Sequence, residues 1–232
     1  MKKYDVTAMG ELLIDFTENG FSKQGNPLFE ANPGGAPCNV LAMLSKLGYK
    51  TAFVGKVGND IFGRQLKVAI EEVGIENGFL LVDEKIHTTL AIVHTLEDGD
   101  RDFSFYRNPG ADMMLKKFEI QPAVIESSKI FHFGTLSFTH EEVKEATKFA
   151  VKCAKEAGIH ISFDPNLREP LWKDLEDAKK AMAYGFQNCD ILKIADNELQ
   201  FFTGEEEFDR AVDILQENYK IPLICVTLGK DG

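Results

Sequence analysis

Apolar positions along this chain switch between two periods. Tyr4 to Gly10 has the short apolar run of a strand, while Ala36 to Leu47 sets Val40, Leu41, Leu44 and Leu47 at helical spacing before a stop at Gly48. A short strand is predicted over Thr51 to Val54 and a helix over Phe62 to Val73, ended by Gly74. Further strands are predicted over Lys129–Phe133, His160–Phe163, Asp190–Ile194 and Leu223–Thr227. Helices are predicted between and around them, over Glu141–Glu156, Leu175–Phe186 and Glu206–Asn218. Strands alternating with helices predict an α/β body with a mostly parallel sheet.

Two stretches break this rhythm. Residues 12–32 contain no helical pattern and carry turn signals at Glu18-Asn19-Gly20 and Gln24-Gly25-Asn26-Pro27. Residues 88–107 read as a hairpin: Thr89 to Leu96, a turn at Glu97-Asp98-Gly99-Asp100, then Asp102 to Arg107. A β-only insertion on an α/β body suits a lid, which excludes water and completes a site on closing. The alternative is that these strands extend the main sheet. No internal repeat or long linker is visible, so residues 1–232 are expected to form one domain.

Composition narrows the partners. Twenty-six basic and 37 acidic residues leave a net charge of −11 without a basic run, which argues against nucleic acid and anionic membrane. An anionic substrate would need local donors to overcome that field. The four cysteines (Cys38, Cys153, Cys189 and Cys225) are far apart and form no CxxC pair, so reduced thiols in the cytoplasm are expected. Neither a signal peptide nor an apolar run of membrane-spanning length is visible.

Candidate chemistry gathers at the ends of predicted strands, where α/β sheets bind ligands. Asp15, in Gly10-Glu11-Leu12-Leu13-Ile14-Asp15, could accept sugar hydroxyls or could begin a solvated lid strand. Gly34 and Gly35 precede a helix whose first turn carries Asn39; paired glycines allow close backbone approach, or simply a tight capped turn. Asp60, in Gly55-Lys56-Val57-Gly58-Asn59-Asp60, reads as a helix cap. Arg107 has a fork suited to hydroxyl or phosphate, or to an exposed salt bridge. Asp164, Asn166 and Arg168 leave a strand together between Pro165 and Pro170. Such a stiff polar loop could hold phosphates or serve as a capped connection. Lys193 and Glu198 flank another strand end; Glu198 could reach Mg²⁺ through water or complement a helix dipole.

The ordered series GELLID, NPGGAPCNV, GKVGNDIFG, FYRNPGADM, FDPNLREPLW, KIADNELQFFTG and VTLGKDG resembles the ribokinase-like (pfkB-type) carbohydrate kinases along essentially the whole chain, and most closely their bacterial fructokinase branch. The resemblance implies a ribokinase-like fold: a central, mostly parallel sheet between helices, with a small β lid whose edge could form a homodimer. It implies ATP- and Mg²⁺-dependent phosphorylation of a sugar hydroxyl. On matching positions, Asp15, Gly34, Gly35 and Asn39 would hold the sugar. Arg107 and Arg168 would act at the sugar or its incoming phosphate. Asn166 and Lys193 would lie near the triphosphate, Glu198 would organise magnesium, and Thr227 with Gly229 would begin the nucleotide site.

Two departures stand out. Ala195 occupies a position where the family pattern usually has Asn or Ser. The GAGD-type motif that carries the family's aspartate base is not found in these 232 residues, so the base is expected beyond Gly232 and the chain is expected to be a truncated domain. Fructose is the expected substrate. The alternatives are a 2-keto-3-deoxygluconate kinase, a ribokinase, or a non-catalytic sugar-binding protein.

Overall fold

A computed structural model describes residues 2–95 and 101–232. In chain order the strands are β1 (Tyr4–Met9), β2 (Leu13–Phe21), β3 (Pro27–Gly34), β4 (Thr51–Gly58), β5 (Leu80–Asp83), β6 (Leu90–Thr95), β7 (Arg101–Tyr106), β8 (Ser128–Gly134), β9 (His160–Asp164), β10 (Ile191–Ala195) and β11 (Leu223–Thr227). The α-helices are α1 (Ala36–Lys46), α2 (Ile61–Glu72), α3 (Pro122–Glu126), α4 (Glu141–Glu156), α5 (Leu175–Asn188), α6 (Asp196–Thr203) and α7 (Phe208–Tyr219).

Seven strands form a sheet in the order β11-β10-β9-β8-β1-β4-β5. Every pairing within it is parallel. Strand alternation feeds two cores, one on each face. Val6, Ala8, Phe53 and Val57 pack under α1 and α2 with Leu41, Leu66 and Ile70. Met9, Ala52, Val54, Phe131, Phe133, Phe163, Leu192 and Ile194 pack on the other face against the helices from α3 to α7. Phe133 and Phe163 are fully buried with ring centroids 4.8 Å apart.

Segments 12–32 and 88–107 contribute a separate four-stranded sheet, β3-β2-β6-β7. β2 and β6 run parallel at its centre, with β3 and β7 antiparallel on the two edges. The turn expected at Glu97–Asp100 lies outside the described residues.

Several elements differ from their sequence patterns, α3 among them, a five-residue helix that no periodicity announces. β4 runs past Val54 to Gly58, because Lys56 is buried within it rather than ending it. The Lys56 ammonium donates to the Met114 carbonyl at 3.0 Å and to the Glu119 carboxylate at 2.7 Å. β5 has only four residues, too few for a periodicity. The last helical stretch is preceded by a separate helix, α6, closed by Gly204 in a left-handed conformation at φ 71°.

Candidate active site

The end of β1, the root of the four-stranded sheet and the start of α1 converge. Asp15 lies on β2, half-buried, in register with Asn32 on β3 and Ala91 on β6. A Cβ on Gly34 would collide with the Asp15 carboxylate, so this glycine lets the acid lie flat against the backbone that leads into α1. Gly35 has φ 117°, and a Cβ there would strike the Glu11 carbonyl. Asn39 sits exposed in the first turn of α1, its N–H donating to the Gly35 carbonyl at 3.0 Å.

Glu11, which none of the motifs above singles out, lies at the same junction. It is 4% exposed, and its Oε1 accepts the Ala36 N–H at 2.8 Å, at the N-terminus of α1. Burial pushes its carboxyl up to about 7, against the pull of that N–H and of the Arg107 charge. The available signal was a lone acid inside the otherwise apolar run from Met9 to Ile14.

Arg107 does not extend an open fork towards a ligand. It is 7% exposed, and its Nε and Nη2 donate to Asp112 Oδ2 at 2.8 and 2.6 Å. Its Nη1 donates to Thr139 Oγ1 at 2.6 Å and its Nη2 also to the Leu136 carbonyl at 3.1 Å. Its guanidinium is engaged in a salt bridge within the protein. That salt bridge is buried rather than exposed, because Asp112 follows on the next turn and supplies the counter-charge from inside the protein.

A second cluster lies at the ends of β9 and β10, around a cleft of about 360 Å³ lined by Asn166, Arg168, Lys193, Ala195, Asn197 and Glu198 among others. Asn166 adopts the left-handed region at φ 44°, and its N–H donates to Asp164 Oδ1 at 3.2 Å. Lys193 pairs with Asp164 at 3.4 Å. Burial raises the Asp164 carboxyl above its usual range, opposed by Lys193 and assisted by Glu198. Arg168 Nη1 donates to the Leu167 carbonyl at 3.0 Å, with its side chain on the cleft.

Glu198 is 6% exposed and divides its carboxylate between two loops. Oε1 accepts the Leu167 N–H at 2.7 Å and Oε2 accepts the Ala195 N–H at 2.9 Å. Its place at the third position of α6 lets it reach back to the cap residue. Ala195 at the cap offers no oxygen in return, and the Glu198 N–H turns to Asn197 Oδ1 at 2.9 Å. Thr227 ends β11 in register with Ala195, and Gly229 follows exposed at φ 59°. The structure thus groups Asp15, Gly34, Gly35 and Asn39 on one side. Asn166, Arg168, Lys193 and Glu198 lie on another, with Thr227 beside Ala195. Arg107 is behind the first group rather than in it.

The pfkB family carbohydrate kinase model matches residues 3–232. Over 229 residues the chain is 42% identical to "Probable fructokinase-2" of Arabidopsis thaliana, covering 98% of this chain and 70% of that protein. It is 42% identical to "Fructokinase-2" of Solanum lycopersicum over 231 residues, covering 98% and 70%. The crystal structure of fructokinase from Xylella fastidiosa superposes with a TM-score of 0.88 at 30% identity, covering 98% and 70%. Vibrio cholerae fructokinase in its fructose-, ADP- and calcium-bound form superposes with a TM-score of 0.88 at 29% identity, covering 99% and 72%.

A parallel sheet between helices, with a small second sheet at its carboxyl edge, is the ribokinase-like architecture of a sugar-phosphorylating enzyme. The chain belongs to the pfkB family of carbohydrate kinases.

Proposed function

We propose that this protein is a fructokinase, transferring the γ-phosphate of ATP to fructose to give fructose 6-phosphate. The match to proteins named fructokinase across 98% of the chain carries this reading. Asp15, backed by Gly34 and Gly35 and flanked by Asn39, accepts sugar hydroxyls at the root of the four-stranded sheet. That sheet serves as the lid, within the single domain of residues 1–232. Arg168, Asn166 and Lys193 line the cleft for the triphosphate, and Thr227 with Gly229 starts the nucleotide platform. Glu198 acts there by holding the loops after β9 and β10 in register.

Among the described residues no group of three or more acidic, histidine or cysteine side chains is arranged to hold a metal. Glu198 and Glu169 line the cleft and Asp164 pairs with Lys193 at its edge, a sparse set of acids that fits a hard cation kept mostly in its own water and phosphate oxygens. Magnesium, when bound, neutralises charge on the transferring phosphoryl group. The acid that accepts the hydroxyl proton is not assigned to any residue of this chain.

A homodimer through the lid is supported by exposed Phe21, Leu28 and Phe29 on β2 and β3. A cytoplasmic setting accords with four free thiols. The test is a panel of fructose, ribose and 2-keto-3-deoxygluconate with the full-length protein and MgATP, compared by kcat/KM. Fructose is expected to lead by at least about tenfold. A preference for either of the others overturns the substrate. Sugar binding by calorimetry without turnover would favour the non-catalytic alternative.

A further inference from the structure

Asp112 is 3% exposed and carries no place in the site described above. Its Oδ2 accepts two N–H groups of Arg107, and its Oδ1 accepts the Thr89 hydroxyl. Those two partners are the feet of the lid hairpin. Thr89 immediately precedes β6 and Arg107 immediately follows β7, while Leu90 pairs with Tyr106 one step further out. One carboxylate therefore ties both feet at the same level. The Thr89 carbonyl in turn accepts the Ile14 N–H at 3.2 Å, and Ile14 is the neighbour of Asp15. Leu13, on the same level, pairs with Gly34. Gly34, Leu13, Thr89 and Arg107 thus form one rung across the base of the four-stranded sheet. From the far side, Thr139 Oγ1 and the Leu136 carbonyl anchor Arg107 to the turn after β8. Space at the junction is closed: a Cβ on Gly110 would meet the Thr89 hydroxyl and Asp112 Oδ1.

A buried ion pair usually returns little net stability relative to apolar side chains of similar volume, so its persistence speaks for geometry. We propose that Asp112 is a positioning residue for sugar binding, holding the root rung on which Asp15 and Gly34 stand, and that Arg107 acts through Asp112 rather than on the sugar. This rests on the sugar-kinase reading above and names the support of that same site.

The test measures fructose and ATP affinity by calorimetry on the full-length protein, for wild type, Asp112→Asn, Arg107→Gln and the double variant, at a temperature where each is folded by circular dichroism. Asp112→Asn is expected to weaken fructose binding at least about tenfold while ATP affinity stays within about twofold. The double variant is expected to be no weaker than the worse single variant, since two residues acting as one unit are not additive. If the losses of the two single variants multiply instead, Arg107 meets the sugar independently and the proposal fails. Equal loss of both ligands, or unchanged fructose affinity in folded Asp112→Asn, also overturns it. Should that variant not fold, Thr89→Val removes one of the three hydrogen bonds and is expected to weaken fructose alone by several-fold; no change overturns the proposal. A wild type that binds another sugar of the panel corrects the substrate, and the same comparison is then made with that sugar. A wild type that binds none overturns both.

Discussion

Glu198 accepts the backbone N–H of Leu167 at 2.7 Å, across 31 residues of chain. With the Ala195 N–H on its other oxygen, this one carboxylate fastens the loop after β9 to the start of α6. Glu198→Ala should leave two partly buried N–H groups without their acceptor. A loss of about 2–3 kcal/mol is expected in urea unfolding, because hydrogen bonds to charged groups are the costly ones to remove. Nucleotide affinity should fall in the same variant. A melt unchanged within error would remove Glu198 from this role.

Gly34→Ala and Gly35→Ala should separate binding from stability. At Gly34 the added methyl meets the end of the Asp15 side chain and, less closely, the tip of Leu13, and both are side-chain ends that can turn away. The fold should lose about 1 kcal/mol or less, while sugar affinity drops by about tenfold or more as Asp15 moves. At Gly35 the methyl meets the Glu11 backbone from a φ of 117°, where no small rotation relieves it. About 2 kcal/mol or more of stability should be lost there. Parallel thermal melts and sugar titrations check both.

Glu11 and His132 should pull stability in opposite directions over nearly the same pH range. Its carboxyl is raised from an ordinary 4.5 to about 7 by burial, so between those values the folded state keeps a proton that the unfolded chain has released. The stabilisation is complete below about 4.5 and gone above about 7, a change of about 3 kcal/mol. Asp164, also raised, adds slope of the same sign. Asp60 and Asp83 are shifted down from 3.8 and act below this window. His132, lowered from 6.5 to about 4 by burial, works the other way, because below about 6.5 the unfolded chain takes up a proton that the folded state refuses. The wild-type curve should therefore be shallow, and Glu11→Gln should make stability rise with pH between about 4 and 6.5 in denaturant titrations.

Ala195→Ser should complete the reciprocal cap of α6 that Glu198 begins. A gain of about 0.5–1 kcal/mol is expected in urea unfolding. A serine there would also add a hydroxyl to the cleft, so nucleotide affinity should rise rather than fall.

The exposed apolar surface should make the 232-residue chain self-associate. Met43 of α1 and Leu47 just after it are 60% and 66% exposed, and on the same side of the main sheet Leu223 of β11 is 50% exposed. Light scattering should show concentration-dependent growth, reduced by Leu47→Lys and Leu223→Lys. A monodisperse monomer at high concentration would contradict this.

The body of the fold was legible because its signals are local. α4 and β11 have the bounds their periodicity predicts, and Asp60 caps α2 through the Gly63 N–H as its place before a helix suggested. The remaining features depend on partners that the local pattern does not reveal. The pattern ends β4 at Val54 because Glu119, the partner that lets Lys56 be buried, is 63 positions on. Nothing in Phe105-Tyr106-Arg107 announces that Asp112 will fold back onto Arg107, or that Thr139 will close the other side. Glu11 hid because a buried acid beside a helix N-terminus is spelled like any other acid in a strand end.

The rung at the base of the four-stranded sheet makes a lever with a fixed end. β2 extends nine residues outward from Leu13 to Phe21. At about 3.4 Å per residue, Phe21 stands about 27 Å from that rung and Asp15 only about 7 Å. A tilt of about 10° about the base would carry the tip some 5 Å yet shift Asp15 by about 1 Å, less than half the rise of a single residue. A rigid tilt about this rung would therefore move the tip of the sheet several times further than the carboxylate nearest its base.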